Sequence, residues 1–220
     1  MIKRIGRGLT VAGILAGTAV AVPSAVRAQG KVELTPFLGS FYPLAKMCTD
    51  CFRDGGNVRA RLTNSATIGA RLSYSVSRTI GIEAAGAYTP SRFELSAEDT
   101  TGFAVAASAK GTALLVSGRV LFRPARTNLH FIVGAGMVHR SGDQWKFQHD
   151  SVGTKLTSVA GILGLGVRAV VTPKFALLVS AEANLYSFDP KLGPIGDESN
   201  GTKLQSDLLV TIGIPITLAH

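Results

Sequence analysis

The connections in this chain alternate between two kinds. Ser77-Arg78-Thr79, the stretch Arg123 to Asn128, and Thr172-Pro173-Lys174 are short and tight, while roughly residues 40–65, 90–110, 140–155 and 189–204 are long and polar. A sheet that crosses a membrane up and down and closes on itself has this asymmetry. One rim faces the periplasm and turns tightly, and the other faces outside and carries long loops.

The segments between these connections carry a period of two. Strands are expected at about 31–39, 66–77, 79–89, 111–122, 128–139, 156–170, 175–187 and 206–218, because strict alternation is the mark of a sheet with two different faces. Leu208, Val210, Ile212, Ile214, Ile216 and Leu218 share one face of the last. Leu114, Val116, Val120 and Phe122 do so in the fourth, Leu129, Phe131, Val133, Ala135 and Met137 in the fifth, and Val159, Leu163, Leu165, Val167 and Ala169 in the sixth. About ten residues at about 3.3 Å each, tilted near 40°, span about 25 Å, the height of an outer-membrane apolar band.

The opposite face decides which way the sheet curls. It carries Glu33 and Thr35, then Gly69, Arg71, Ser73 and Ser75, then Glu83, Ser117 and Arg119, Gly164, Gly166 and Arg168, and finally Ser180, Glu182 and Asn184. A periplasmic lipocalin-like binder would wrap the apolar face around a cavity and fill it with aromatics, which make up only 7% of the chain. The inverted arrangement packs small and charged residues into a narrow lumen and turns the apolar face to lipid. Buried unlike charges are tolerable when paired, so Arg71, Arg119 and Arg168 are expected to pair with Glu33, Glu83 and Glu182 across the lumen.

The first 28 residues read as an address. Lys3, Arg4 and Arg7 precede the uncharged stretch from Leu9 to Val22, and Val26-Arg27-Ala28 offers small residues for a signal peptidase. The run is shorter than the roughly 20 apolar residues that a spanning helix needs. A Sec-exported chain with its barrel domain at 29–220 is the expectation, and removal of the leader lowers the formal charge from +9 to +5. For an exported protein the available anionic partner is lipopolysaccharide rather than nucleic acid. Cys48 and Cys51 form a C-x-x-C in the first long loop, and an oxidising compartment makes a disulfide the default. No second cysteine pair or H-x3-H spacing exists for a metal, and the glycines Gly134-x-Gly136 and Gly161-x-x-Gly164-x-Gly166 lack a dinucleotide fingerprint. They read as inward-facing small residues, and no cofactor is expected.

Three finer expectations follow. Phe122 and Phe175 beside tight turns, with Phe41, Tyr42, Tyr88, Trp145, Tyr186 and Phe188 near the long loops, suggest interfacial belts. Pro36 and Pro215 fall in the first and last strands and remove ladder donors there, so the closing seam should be bulged. Glu94 to Lys110 is ambiguous between a short helix and a hairpin extension.

With leader, strand count, loop asymmetry and alternating last strand in view, residues 29–220 resemble the small outer-membrane β-barrel proteins of Gram-negative bacteria, typified by the transmembrane domain of outer membrane protein A. The resemblance implies an all-β, eight-stranded antiparallel up-and-down barrel in the outer membrane, inserted by the barrel-assembly machinery and monomeric. Members commonly end on an aromatic residue that this machinery reads; here Ile212, Ile214, Ile216 and Leu218 match the alternate positions and His220 stands last. Some relatives modify lipid A, and His139-Arg140-Ser141 is similar to the His and Ser pattern of the lipid A deacylases, with both on the lipid-facing side. Asp143 or Asp150 would have to orient the histidine, so a polar membrane rim is the plainer reading of the pair. Lys46, Arg53, Arg59 and Arg61 in the first loop are candidate contacts to lipopolysaccharide phosphates. The reading as a whole is a non-enzymatic barrel with structural, adhesion or surface-recognition roles.

Overall fold

The computed structural model describes residues 30–45, 48–49, 58–99, 102–125, 127–142, 155–172, 175–188 and 203–219. The expected leader at 1–28 and Lys46, Cys51, Arg53, Asp143, Trp145, Asp150 and His220 lie outside them. The described chain is strand and turn: β1 Val32–Pro43, β2 Cys48–Thr49, β3 Val58–Leu62, β4 Ser65–Ser75, β5 Ile80–Asp99, β6 Gly102–Phe122, β7 Leu129–Gly142, β8 Lys155–Thr172, β9 Phe175–Phe188, β10 Lys203–Gly213 and β11 Ile216–Ala219. Among the described residues no helix is long and apolar enough to cross a membrane, which says nothing of a barrel that crosses with strands.

Neighbouring strands pair antiparallel from β4 to β10, and β1 pairs β4 on one side and β10 with β11 on the other. With β10 and β11 counted as one interrupted stave, this is a closed eight-stranded antiparallel barrel. The tight turns hold by local chemistry. Ser77 Oγ accepts the N–H groups of Thr79 (3.2 Å) and Ile80 (2.9 Å), a hydroxyl turn that reverses the chain between β4 and β5.

The alternation resolves as expected. Leu38, Ile68 and Val159 are 63%, 61% and 73% exposed, whereas Glu33, Arg71, Glu83, Arg119 and Glu182 are buried within the wall. An apolar exterior around a charged interior is the reverse of a lipocalin, so the soluble alternative is set aside. The outward apolar surface is what hydrocarbon requires, and closure of the wall leaves no open sheet edge within the barrel.

Four details differ from the sequence reading. Residues 90–110 do not form a polar loop: of the two alternatives for Glu94 to Lys110 the hairpin extension holds, with β5 and β6 paired from Arg92↔Lys110 to Asp99↔Gly102. β3 adds to β5 between Leu62↔Phe93 and Val58↔Ala97, and β2 adds to β3, giving a four-stranded ribbon beyond the barrel. Gly161 faces outward, whereas Gly134, Gly136, Gly164 and Gly166 alternate on the lumen side. Phe41 and Tyr186 are buried in the lumen at 6% and 2% exposure, because they continue the inward parity of Phe37 and Asn184; they are not belt residues. Tyr42, Tyr88, Phe122 and Phe175 are outward and exposed.

At the seam, β10 stops at Gly213 and β11 resumes at Ile216, with the ladder broken at Ile214 and Pro215 and a register shift between Val32 and Glu33. Pro215 supplies no donor, and Ile214 N still reaches Pro36 O at 3.1 Å. Gly142 closes β7 at φ 119°, where a Cβ would lie 2.6 Å from Gly111 Cα, so glycine is required by both conformation and space.

Candidate functional site

The lumen is a stack of three polar tiers separated by apolar side chains. The middle tier is the most interlocked. Arg71 Nη2 hydrogen-bonds Glu182 Oε1 (2.8 Å), Ser180 Oγ (2.8 Å) and Thr211 Oγ1 (2.6 Å). Ser180 and Thr211 stand opposite each other in the β9–β10 register, so the alternation of two strands delivers three ligands to one guanidinium. Arg119 Nη1 lies 2.9 Å from Glu182 Oε2 and 3.3 Å from Glu83 Oε1, while its Nε donates to Ser117 Oγ at 2.9 Å. Glu83 and Arg119 are themselves cross-strand partners.

Glu182 is 0% exposed and shared by two arginines. Gly164 makes room for it: a Cβ there would meet Glu182 Cγ at 2.9 Å. Arg71 Nε and Nη1 make no hydrogen bond; the guanidinium lies 4.5 Å over the Phe37 ring, with Glu83 3.9 Å from Nε. In so low a dielectric, unlike charges hold one another firmly, and the loss of one partner leaves a buried charge uncompensated.

Toward the short-turn end, Arg168 forms a two-pronged pair with Glu33, Nη1 to Oε2 and Nη2 to Oε1, both 2.9 Å. Lys31 Nζ adds a second cation at 2.9 Å from Glu33. A cavity of about 100 Å³ opens here, lined in part by Glu33, Glu83, His130 and Arg168. His130 fills the lumen opposite Gly166, where any Cβ would lie 2.2 Å from the imidazole. Beside the middle tier, Leu121, Ile132 and Ile162 form a buried apolar cluster, with Leu121 also lining the short-turn cavity.

The third tier, near the long-loop rim, was not among the expected site residues. Arg140 Nη2 donates to Tyr186 Oη and pairs with Asp207 at 3.2 Å, and Tyr186 Oη donates to Asp207 Oδ2 at 2.7 Å. The guanidinium also lies 4.6 Å over the Tyr186 ring. Only about 20 Å³ remains in the cavity beside it, bounded by Phe41, Leu115, Val138, Asn184 and Asp207.

The sequence-predicted residues therefore divide. All six charges of Glu33, Arg71, Glu83, Arg119, Arg168 and Glu182 meet in the lumen. His139 and Ser141 share the outer face of β7 but do not meet: His139 Nδ1 bonds Thr157 Oγ1 and Ser141 Oγ bonds Thr112 Oγ1, each at 2.8 Å. Arg59 and Arg61 are on β3, Arg61 opposite Glu94 in register. Cys48 is on β2, opposite Ala60. Among the described residues no group of three or more His, Cys, Asp or Glu could hold a metal.

Neither a protein-family model nor a curated protein sequence matches the chain. Solved structures do match. Outer membrane protein AlkL, determined by solid-state NMR in lipid bilayers, aligns with TM-score 0.52 and 15% identity over 90% of this chain and 95% of its own. OprG from Pseudomonas aeruginosa gives TM-score 0.48 and 15% identity over 85% of this chain and 96% of its own. Ail of Yersinia pestis gives 0.45 and 14% over 84% and 99%. At such identities the likeness is one of fold. The chain has the fold of the small eight-stranded outer-membrane barrels of Gram-negative bacteria.

Proposed function

We propose that this is a non-enzymatic outer-membrane protein whose lumen is a sealed core and whose work is done at the cell surface, in envelope integrity, adhesion or recognition. The observation that carries this is the middle tier: Arg71, Arg119, Glu83 and Glu182 fill the barrel where a pore or substrate channel would run. An eight-stranded barrel has an interior just wide enough for side chains. The hairpin of β5 and β6, widened by β3 and β2, supplies a surface beyond the membrane for a partner.

The remaining parts of the reading belong to the same proposal. Residues 1–28 act as a leader removed on Sec export, and the barrel-assembly machinery inserts a monomeric domain at 29–220. A Cys48–Cys51 disulfide closes a small loop, and Lys46, Arg53, Arg59 and Arg61 face lipopolysaccharide. His139 and Ser141 serve as rim polar groups, each held by a threonine rather than by the other.

Membrane fractionation with gel mobility of boiled and unboiled samples tests the reading. Outer-membrane partition with a faster unboiled band is the expected result. A soluble protein without a heat shift would reject it.

A further inference from the structure

The outward face of β5 and β6 changes character in register steps toward the long-loop rim. Tyr88 stands opposite Leu114, then Pro90 opposite Thr112, then Arg92 opposite Lys110. Below this, from Ile80 to Tyr88 and from Phe122 to Leu114, the outward positions are apolar or small, enough to cover an apolar band of about 25 Å. Four residues further along a tilted strand is about 10 Å, which carries Arg92 and Lys110 out of the acyl chains and into the headgroup layer.

Two cations directly opposite each other on one sheet face repel. Both are exposed. Glu94, the next outward position on β5, is half-buried and engaged. Thr112 and Ser141, hydroxyl to hydroxyl at 2.8 Å, lie one step below, and a cleft of about 700 Å³ bordered by Asn64, Arg92, Glu94, Lys110 and Thr112 opens beside them, two cations against one carboxylate. On the β1–β10 side the outward rim is different: Tyr42, Leu44 and Leu204 are apolar, with Leu204 72% exposed. The β5–β6 sector thus sets a cation pair with a hydroxyl beneath it at the depth of lipid phosphates, where the β1–β10 side presents apolar residues.

We propose that Arg92 and Lys110, with Thr112 beneath them, clamp a phosphate of a phosphorylated glycolipid, lipopolysaccharide, in the outer leaflet. The proposal rests on the outer-membrane reading above and adds a site separate from the first loop. The phosphate relieves the repulsion between the two cations and accepts charge-assisted hydrogen bonds from both.

The test uses the full mature barrel in lipid nanodiscs, with purified lipopolysaccharide, its phosphatase-treated counterpart and inorganic phosphate as probes. Wild type should prefer the phosphorylated glycolipid, and R92Q/K110Q should bind it about tenfold more weakly without discriminating between the two forms. R92K/K110R, which keeps both charges, should retain the preference, and unboiled gel mobility reports that each variant is folded. Equal binding by R92Q/K110Q and wild type, or equal binding of the two glycolipid forms by wild type, would overturn the clamp. Competition by inorganic phosphate at the same concentration as lipopolysaccharide would reassign the pair to free phosphate. A barrel that inserts but binds only through Lys46, Arg53, Arg59 and Arg61 sinks the clamp alone, whereas a protein that never partitions to the outer membrane sinks the reading beneath it.

Discussion

Glu182 and Glu33 bring the same carboxylate into the same lumen, one to its centre and the other to its short-turn end. Glu182 is sealed between Arg71 and Arg119, whose side chains are each 1% exposed. Glu33 meets Arg168, whose side chain is 34% exposed, and has Lys31 in reserve. The chemistry of the two pairs is alike; water is what differs. At the centre each charge depends wholly on its partners, so the middle tier acts as a plug and a fold determinant together. At the end, solvent and a second cation can substitute, so the pair orients the strand ends and contributes little else.

The largest expected effect therefore comes from the centre. Arg71→Ala removes the partner shared by Glu182, Ser180 and Thr211 and should lower stability by about 3–5 kcal/mol, read as the urea midpoint for loss of the unboiled gel band. A shift as small as that of an exposed pair would show that the buried network tolerates its own disruption.

The rim tier should be intermediate. Tyr186→Phe deletes both the 2.7 Å bond to Asp207 and the bond accepted from Arg140 but keeps the ring under Arg140 and the Arg140–Asp207 pair, for a loss of about 1–3 kcal/mol in the same assay. Arg168→Gln should cost at most about 1 kcal/mol, less in high salt; a loss matching Arg71→Ala would erase the contrast between the tiers. Smallest is Ser141→Ala, which should leave lipid A profiles unchanged in whole cells. An altered profile would restore the enzyme reading despite the separate partners of His139 and Ser141.

Which residues enter the lumen was largely legible in the sequence, because alternation in a strand is rigid: one step in parity moves every side chain to the other face. Glu33, Arg71, Glu83, Arg119, Arg168 and Glu182 were all placed inside on that ground. The same rule, carried two residues further along β9 and β1, would have brought in Tyr186 and Phe41. It failed there because aromatics near a rim were read by type rather than by parity. Arg140 lay one position past the expected end of its strand, and Asp207 was passed over although it shares the parity of Leu209 and Thr211.

Who pairs with whom was not legible. Arg71 reaches Glu182 across 111 positions of sequence, and that meeting depends on the stagger of the closed wall, which no single strand encodes. The segment from Glu94 to Lys110 mixes alanine with charge and has weak alternation of its own. Its strand character comes from the partners it finds in β3 and in itself.

Conductance of the purified barrel in a planar lipid bilayer tests the central claim most directly. Wild type should show no steady current steps, because Arg71, Arg119, Glu83 and Glu182 occupy the lumen, and folded Arg71→Ala should show them if the plug is what seals it. Steady ion-conducting steps from the wild-type protein would contradict a closed lumen and turn attention from the surface to what passes through.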